Sequence, residues 1–275
     1  PSRGGAVEKI WYQLGREFAA RGHEVTHVSR RCDGLAADEC VAGVRHLRLA
    51  GFDLPASTVA TLWRDFRWAL RVRRALPAAD VVVTNSICAP LLLSPRQGRV
   101  CVDVQRMPKG QIRFYRGAAR LRANSAAVAE AIIREEPALA SRVRVIPNPL
   151  PFVPDRAVDW EKKTRTVLFV GRLHPEKGLE LLLHAWALGR STGRLDGWRL
   201  ELVGPSAGAG GGGGEAWARE LRERHAATAS AWRPPIYDVA ELNGVYERAR
   251  VFAYPSLAEK GETFGLAVLE AMAWG

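Results

Sequence analysis

Residues 167–183 read VLFVGRLHPEKGLELLL, and this stretch decides the fold. Thr166 to Leu173 is an apolar, β-branched run that reads as a buried strand, and Gly178 to Gly189 reads as a helix. Between them lie Gly171, Arg172 and, five residues after Arg172, Lys177 at the mouth of the helix. A strand, a short loop and a helix form the βα half of a parallel crossover unit, and the alternation continues in both directions. Downstream, WRLELVG (198–204) and ARVFAYPS (249–256) read as strands. EAWARELRERHAA (215–227), LNGVYERA (242–249) and TFGLAVLEAMAWG (263–275) read as helices. The glycine run AGAGGGGGE (207–215) reads as a flexible inserted loop.

Upstream, PNPLPFVPDRAVDWEKK (147–163) carries four prolines and mixed charge, the best candidate for a domain boundary. It divides the chain into 1–150 and 151–275. The first half repeats the alternation. Val7, Ile10, Trp11, Leu14 and Phe18 have helical spacing, and the helix stops at Arg21-Gly22. HEVTHVS (23–29), the apolar Val81 to Val83, GRVCVDV (98–104) and SRVRVIPNPL (141–150) read as strands. SAAVAEAIIREEPAL (125–139) is a helix with Ser125 as its N-cap. The expected fold class is α/β, two Rossmann-like lobes with doubly wound parallel sheets that bind ligands beyond the carboxyl ends of their strands. The opening PSRGG enters a helix with no strand before it, and LAVLEAMAWG stops at Gly275. The chain therefore reads as an internal fragment, both lobes incomplete.

Composition narrows the function. The chain has 275 residues, 47% hydrophobic and 25% charged, which suits a folded globular protein and excludes bulk disorder. Forty Lys and Arg against 29 Asp and Glu give a formal net charge of +11, which calls for an anionic partner. Four cysteines without a CxxC pair exclude a disulfide scaffold and a structural zinc site of that type, and suit a reducing, cytoplasmic compartment. No apolar run approaches the ~18 residues of a membrane span. The basic residues are scattered, without a helix-turn-helix, zinc-finger or aromatic RNP pattern, so nucleic acid is not expected. The densest basic cluster, RDFRWALRVRRAL (64–76), is either an amphipathic helix for an anionic bilayer, on the inner membrane face, or a solvated helix face. A basic nucleic-acid-binding or non-catalytic α/β protein is the alternative function class.

Three strand-to-helix loops carry candidate chemistry. In SRGGA (2–6), Gly4 and Gly5 let backbone approach an anion at the start of a helix. In the second loop, Arg172 and Lys177 project into the switch-point crevice, where a diphosphate fits. Arginine grips phosphate oxygens bidentately and lysine acts as a point charge. The third, YPSLAEKGETFGLAVLEAMAWG (254–275), holds Glu262 and Glu270 with seven residues between them. There Thr263, Phe264, Gly265 and Leu266 open a helix whose first amides can hold phosphate or sugar oxygens. Glu270 stands about two turns inside that helix, in the apolar run LAVLEAMAW, and can accept from vicinal hydroxyls such as a ribose.

His23-Glu24-Val25-Thr26-His27 spells the zinc-protease string H-E-x-x-H, which needs a helix. On a strand the two histidines lie about 13 Å apart, too far for one zinc. No G-x-G-x-x-G opens either half, which disfavours a dinucleotide-dependent oxidoreductase.

The FVGRL-x-x-EKG text and the PS-x-x-E…GETFGL-x-x-LEAMA-x-G text resemble the signature of retaining glycosyltransferases of family 4, which have the GT-B fold. The GG loop, the helix ending RGHEV and the late VIPNP hinge are similar too. The resemblance implies two lobes facing across a cleft, and a hexosyltransferase that uses a nucleotide-diphosphate sugar such as a UDP- or GDP-sugar. Arg172 and Lys177 would neutralise the leaving diphosphate. Glu270 would hold the ribose, and Glu262 with the amides of Thr263 to Leu266 the donor sugar and phosphate. Gly4 and Gly5 would close on the diphosphate. The acceptor, a glycan, a lipid-linked sugar or a small molecule of cell-envelope polysaccharide synthesis, would lie on the N-terminal lobe. Family members often carry a histidine after a central strand of that lobe; here VCVDVQRMPKGQ (100–111) places Asp103 there. Gln105, Arg106 and Lys109 are acceptor-side candidates, or a basic surface loop. No D-x-D occurs, so neither metal nor cofactor is expected.

Overall fold

The computed structural model describes residues 5–52, 57–208, 211–258 and 263–275. The chain divides into two units, Ala6–Pro149 and Leu150–Gly275, with Gly5 assigned to the second.

The N-terminal unit opens with α1 (Ala6–Ala20), whose apolar face sinks Ile10 completely and leaves Phe18 largely exposed. Strands β1 (Val25–Arg30), β2 (Asp38–Val41) and β3 (Val44–Leu49) form one sheet in the order β1-β3-β2. The H-E-x-x-H string falls as expected on non-helical backbone, with His27 inside β1. β2 runs antiparallel to β3, an exception to the parallel pattern read from the sequence. The connection is a two-residue turn through Ala42 and Gly43, both at positive φ (51° and 78°), which is the geometry a tight hairpin needs.

Helix α2 (Thr58–Ala75) starts at Ser57, whose side chain accepts from the Ala60 amide. Strands β4 (Val81–Thr84), β5 (Arg99–Val104), β6 (Arg120–Ala123) and β7 (Val143–Val145) make a second, fully parallel sheet in sequential order. A short α3 (Ala89–Leu92) follows β4, and α4 (Ala126–Glu135) follows β6, capped by Ser125 as its sequence suggests. The core joins Val100, Val102, Val104 and Leu121 to Val128, Ile132 and Leu139. The apolar run of β4 is covered on one face only: Val82 is buried, but Val81 and Val83 are 47% and 43% exposed. β4 is the outer strand of its sheet among the described residues.

The C-terminal unit runs β8 (Thr164–Val170), α5 (Leu179–Ser191), β9 (Arg199–Val203), α6 (Glu215–Arg224), β10 (Ala231–Arg233), α7 (Val239–Arg248), β11 (Ala249–Phe252), α8 (Leu266–Ala273). Its sheet is parallel throughout, in the order β10-β9-β8-β11. Consecutive residues of β8 (Leu168, Phe169) and of β9 (Leu202, Val203) are buried on opposite faces, and the two faces feed two cores. Phe169, Leu200 and Leu202 pack with Leu179, Leu183 and Trp186 of α5 and Leu221 of α6. Leu168 and Val203 pack with Leu242, Val245 and Tyr246 of α7 and Trp274 beyond α8. Helices therefore cover both faces. The chain progresses from β8 outward to β10, then crosses back to place β11 on the other side of β8. The strand order reverses between β8 and β11, which makes that edge-to-edge seam the topological switch point.

Candidate functional site

Both cation- and carboxylate-bearing loops leave the sheet at this switch point, one after β8 and one after β11. The first begins with Gly171 and Arg172. The Arg172 guanidinium donates to the Gly211 carbonyl (2.9 Å) and to Glu176 Oε1 (2.7 Å). Both partners of the Arg172–Glu176 pair are partly open to solvent, at 45% and 30%, so the pair holds the side chain in place with little energy, about 0.3–0.5 kcal/mol for such an i,i+4 contact. Pro175–Lys177 forms a 3₁₀ turn, capped by the His174 ring, which accepts from the Glu176 amide. The turn buries Lys177 to 7% exposure and sets its ammonium 5.7 Å from the Tyr254 ring centre.

Gly178 joins the two loops. It sits at φ +68°, and a Cβ there would fall 2.0 Å from the Pro255 carbonyl oxygen of the loop after β11. Beside it the Leu257 amide donates to the Glu176 carbonyl (2.8 Å). Only a residue without a side chain lets the two backbones approach this closely.

The loop after β11 leads to Gly265, which takes a left-handed conformation at the N-terminus of α8. Glu270 lies four residues beyond Leu266, a little over one turn inside α8 rather than two. It is 6% exposed and accepts a 3.0 Å hydrogen bond from the Tyr246 hydroxyl of α7. Burial first, and the Glu270 charge second, push the Tyr246 phenol well above its ordinary pKa, so it remains a donor. Rings link the two charged groups: Tyr246 lies against Phe252, and Phe252 stacks on Tyr254 beneath Lys177. Thr263 and Phe264 precede Gly265 in a bend. Glu262 and Gly4 lie outside the described residues. Gly5 is exposed, immediately before α1.

The described part of the glycine run, 211–214, is tied down by its backbone. Gly213 donates to Leu173, Gly214 to Ser206 and Gly212 to Ala207. Gly211, at φ +77°, approaches Arg172 so closely that a Cβ would meet Arg172 Cδ at 2.8 Å. Glycines serve here because the segment packs by its backbone against the switch-point loop and then enters α6. Beside it lies an open hollow of about 670 Å³, lined among others by Leu173, Ser206, Trp232, Pro235 and Tyr237. Arg172, Lys177 and Glu270 do not line it.

In the N-terminal unit Asp103, at the end of β5, is 2% exposed and is the centre of a polar network. It accepts from Trp11 Nε1 of α1 (2.6 Å), from the Arg122 guanidinium of β6 (2.8 Å) and from Gln105 (2.8 Å). Arg122 also donates to the Ile146 and Pro147 carbonyls and to Asn148 Oδ1. Gln105 exchanges hydrogen bonds with Asn148 and accepts from Asn124. Asp103 and Gln105 thus tie together α1, two strand ends and the Pro147–Pro149 segment. Arg106 and Lys109 are exposed on the loop that follows. Sequence reasoning missed Trp11, Arg122, Asn124 and Asn148. Removing either member of the Asp103–Arg122 pair strands the other charge. Asp103→Ala is expected to cost about 3–5 kcal/mol, read as a lowered unfolding midpoint; an unchanged midpoint would show that the pair is not buried as described.

Among the described residues no helix is long and apolar enough to cross a membrane. On α2, Val59 and Trp63 are 77% and 61% exposed next to Arg64, Arg67 and Arg71.

The chain is similar to known proteins. The family described as Glycosyltransferase Family 4 matches residues 4–151, and that described as Glycosyl transferases group 1 matches residues 164–275. A D-inositol 3-phosphate glycosyltransferase of Corynebacterium jeikeium is 38% identical over 116 residues, 41% of this chain and 26% of the relative. The match thus spans about a quarter of the length of that curated relative. Among solved structures, HepE of Anabaena in complex with UDP and glucose covers the whole chain with 76% of its own, at a TM-score of 0.68 and 16% identity. The α,α-trehalose 6-phosphate synthase of Burkholderia multivorans does so with 78% of its own, at 0.68 and 13%. At such identities the likeness carries the fold, which is GT-B.

Proposed function

The chain belongs to glycosyltransferase family 4, and from that premise we propose that it moves a hexosyl group from a nucleotide-diphosphate sugar to an acceptor, with retention and without a metal ion. The donor class agrees with the UDP and glucose in the HepE complex. The observation that carries the reading is the switch-point seam, where two loops are in backbone contact, one bearing a buried ammonium and the other leading into the helix that bears a buried carboxylate.

Glycosyl transfer builds negative charge on the departing diphosphate and positive charge on the anomeric carbon. Lys177 meets the first with a charge already withdrawn from water and already oriented, so little reorganisation accompanies the reaction. Arg172 adds a second cation. Its exposed pair with Glu176 is weak enough for a diphosphate to replace, and the Gly211 carbonyl keeps the guanidinium near the seam. The first amides of α8, on the positive end of the helix, offer further donors to phosphate or sugar oxygens, together with Glu262 and the Thr263 to Leu266 segment. Glu270, fixed by Tyr246, accepts from the ribose hydroxyls. Retention follows from attack on the face of the leaving group, assisted by its phosphate oxygen. Gly4 and Gly5 would close on the diphosphate, and the N-terminal lobe would take the acceptor. The exposed Trp63 and neighbouring arginines of α2 suit an acceptor presented at an anionic bilayer on the cytoplasmic side.

The test is donor binding followed by turnover. Thermal-shift screening against nucleotide sugars and free nucleoside diphosphates should find a stabilising donor, and a chelator should leave turnover unchanged. Absence of stabilisation by every nucleotide sugar would sink the donor assignment, and loss of turnover on chelation would sink the metal-free step. Glu270→Gln is expected to raise the donor KM about tenfold or more, from loss of a charged hydrogen bond worth about 1.5–3 kcal/mol, with a smaller change in kcat; an unaltered KM would remove Glu270 from donor binding.

A further inference from the structure

The geometry points to a second binding site on the C-terminal unit: we propose that Glu180, His184 and His225 bind one divalent transition-metal ion of the zinc class, tying the start of α5 to the end of α6. The inference does not depend on the transfer reaction, because none of the three residues belongs to the switch-point set.

Glu180 and His184 are four residues apart on α5 and so share a face. Both are exposed. His225 caps the C-terminal end of α6 and is 7% exposed. Its ring meets the His184 ring edge-on, with centroids 4.8 Å apart and planes at 78°. One potential ligand atom from each residue lies within 4.8 Å of the other two. A tetrahedral zinc site with bonds near 2.0–2.1 Å needs donors about 3.3 Å apart. The remaining closure of about 1.5 Å is within the rotamer freedom of the two exposed side chains.

One further feature favours a metal over a solvated cluster. The His225 Nε2 is buried and meets no hydrogen-bond partner, an arrangement that costs free energy unless a ligand takes up the lone pair or the proton. Arg224 is the local competitor. It pairs with Glu180 and with Glu220, but the Glu180 pair is exposed on both sides and the carboxylate has a second oxygen to offer. Two imidazoles and one carboxylate select zinc, cobalt, nickel or copper over magnesium and calcium, which prefer all-oxygen shells. Three protein ligands on an open surface leave the remaining positions to water.

The experiment is a titration of the purified protein with Zn²⁺ against a chromophoric chelator, with thermal unfolding in parallel. The wild-type protein is expected to bind one equivalent and to unfold at a higher temperature with Zn²⁺ than with Mg²⁺. His184→Ala alters an exposed side chain and should fold normally; it is expected to weaken binding about tenfold or more and to abolish the thermal shift. Glu180→Gln should weaken binding in the same direction, and His23→Ala, on a separate exposed segment, should leave it unchanged. Co²⁺ in place of Zn²⁺ should give visible absorption that His184→Ala removes. No saturable Zn²⁺ binding by the wild-type protein, or equal binding by His184→Ala, would overturn the site. Turnover is not the readout, so failure here leaves the donor assignment intact, and failure of the donor assignment leaves this site intact.

Discussion

Gly178→Ala is expected to damage both the fold of the C-terminal unit and its donor site. Alanine at φ +68° carries backbone strain of about 1–3 kcal/mol. The added methyl would also stand 2.0 Å from the Pro255 carbonyl oxygen, a contact that cannot persist. Relief requires one loop to retreat, which breaks the hydrogen bond from Leu257 to the Glu176 carbonyl and adds an overpacking cost of about 1–3 kcal/mol. Differential scanning calorimetry should show a fall in the unfolding midpoint of more than about 5 °C, taking ~2–4 °C per kcal/mol for a domain of this size. Donor binding should weaken as well, because the retreat moves Lys177 away from the α8 loop. A protein of unchanged midpoint and donor affinity would show that the two loops do not touch.

Lys177→Ala should have the largest effect on the reaction with the least on the fold. Its ammonium is buried and fixed, so a leaving diphosphate loses a preorganised charge, and turnover is expected to fall about 10²–10³-fold. Arg172→Ala should cost less, because that guanidinium is 45% exposed and is drawn away from Glu176 before it serves a ligand. Steady-state kinetics with circular dichroism on both variants separate the two cations. Lys177→Ala turning over within threefold of the wild type would remove Lys177 from leaving-group stabilisation.

Some of this architecture is legible in the amino-acid order and some is not, for physical reasons. The alternation of buried strands and amphipathic helices is local, so β8, α5, β9 and α8 emerge from periodicity alone. The β2–β3 hairpin is hidden because its turn uses Ala42-Gly43, and alanine gives no hint of positive φ. Composition cannot distinguish backbone that wanders from backbone that packs; within the glycine run, Gly211 and Gly213 do the latter. Arg172 and Lys177 are visible from their place after a strand, yet nothing local states that Lys177 is buried and Arg172 open. The Asp103 network is the least legible part. Trp11 stands 92 positions from Asp103 and Asn148 stands 43 from Gln105, so only the fold brings them together.

The outer edge of β4 has a consequence for handling these 275 residues as a separate polypeptide. Two half-uncovered valines and a line of backbone amides and carbonyls, unmatched by any strand among the described residues, form a ready template for another extended chain. At high concentration, two copies meeting along that rim would find register through the Val81–Val83 alternation, and a lysine in place of Val83 would discourage such pairing while leaving the covered Val82 untouched.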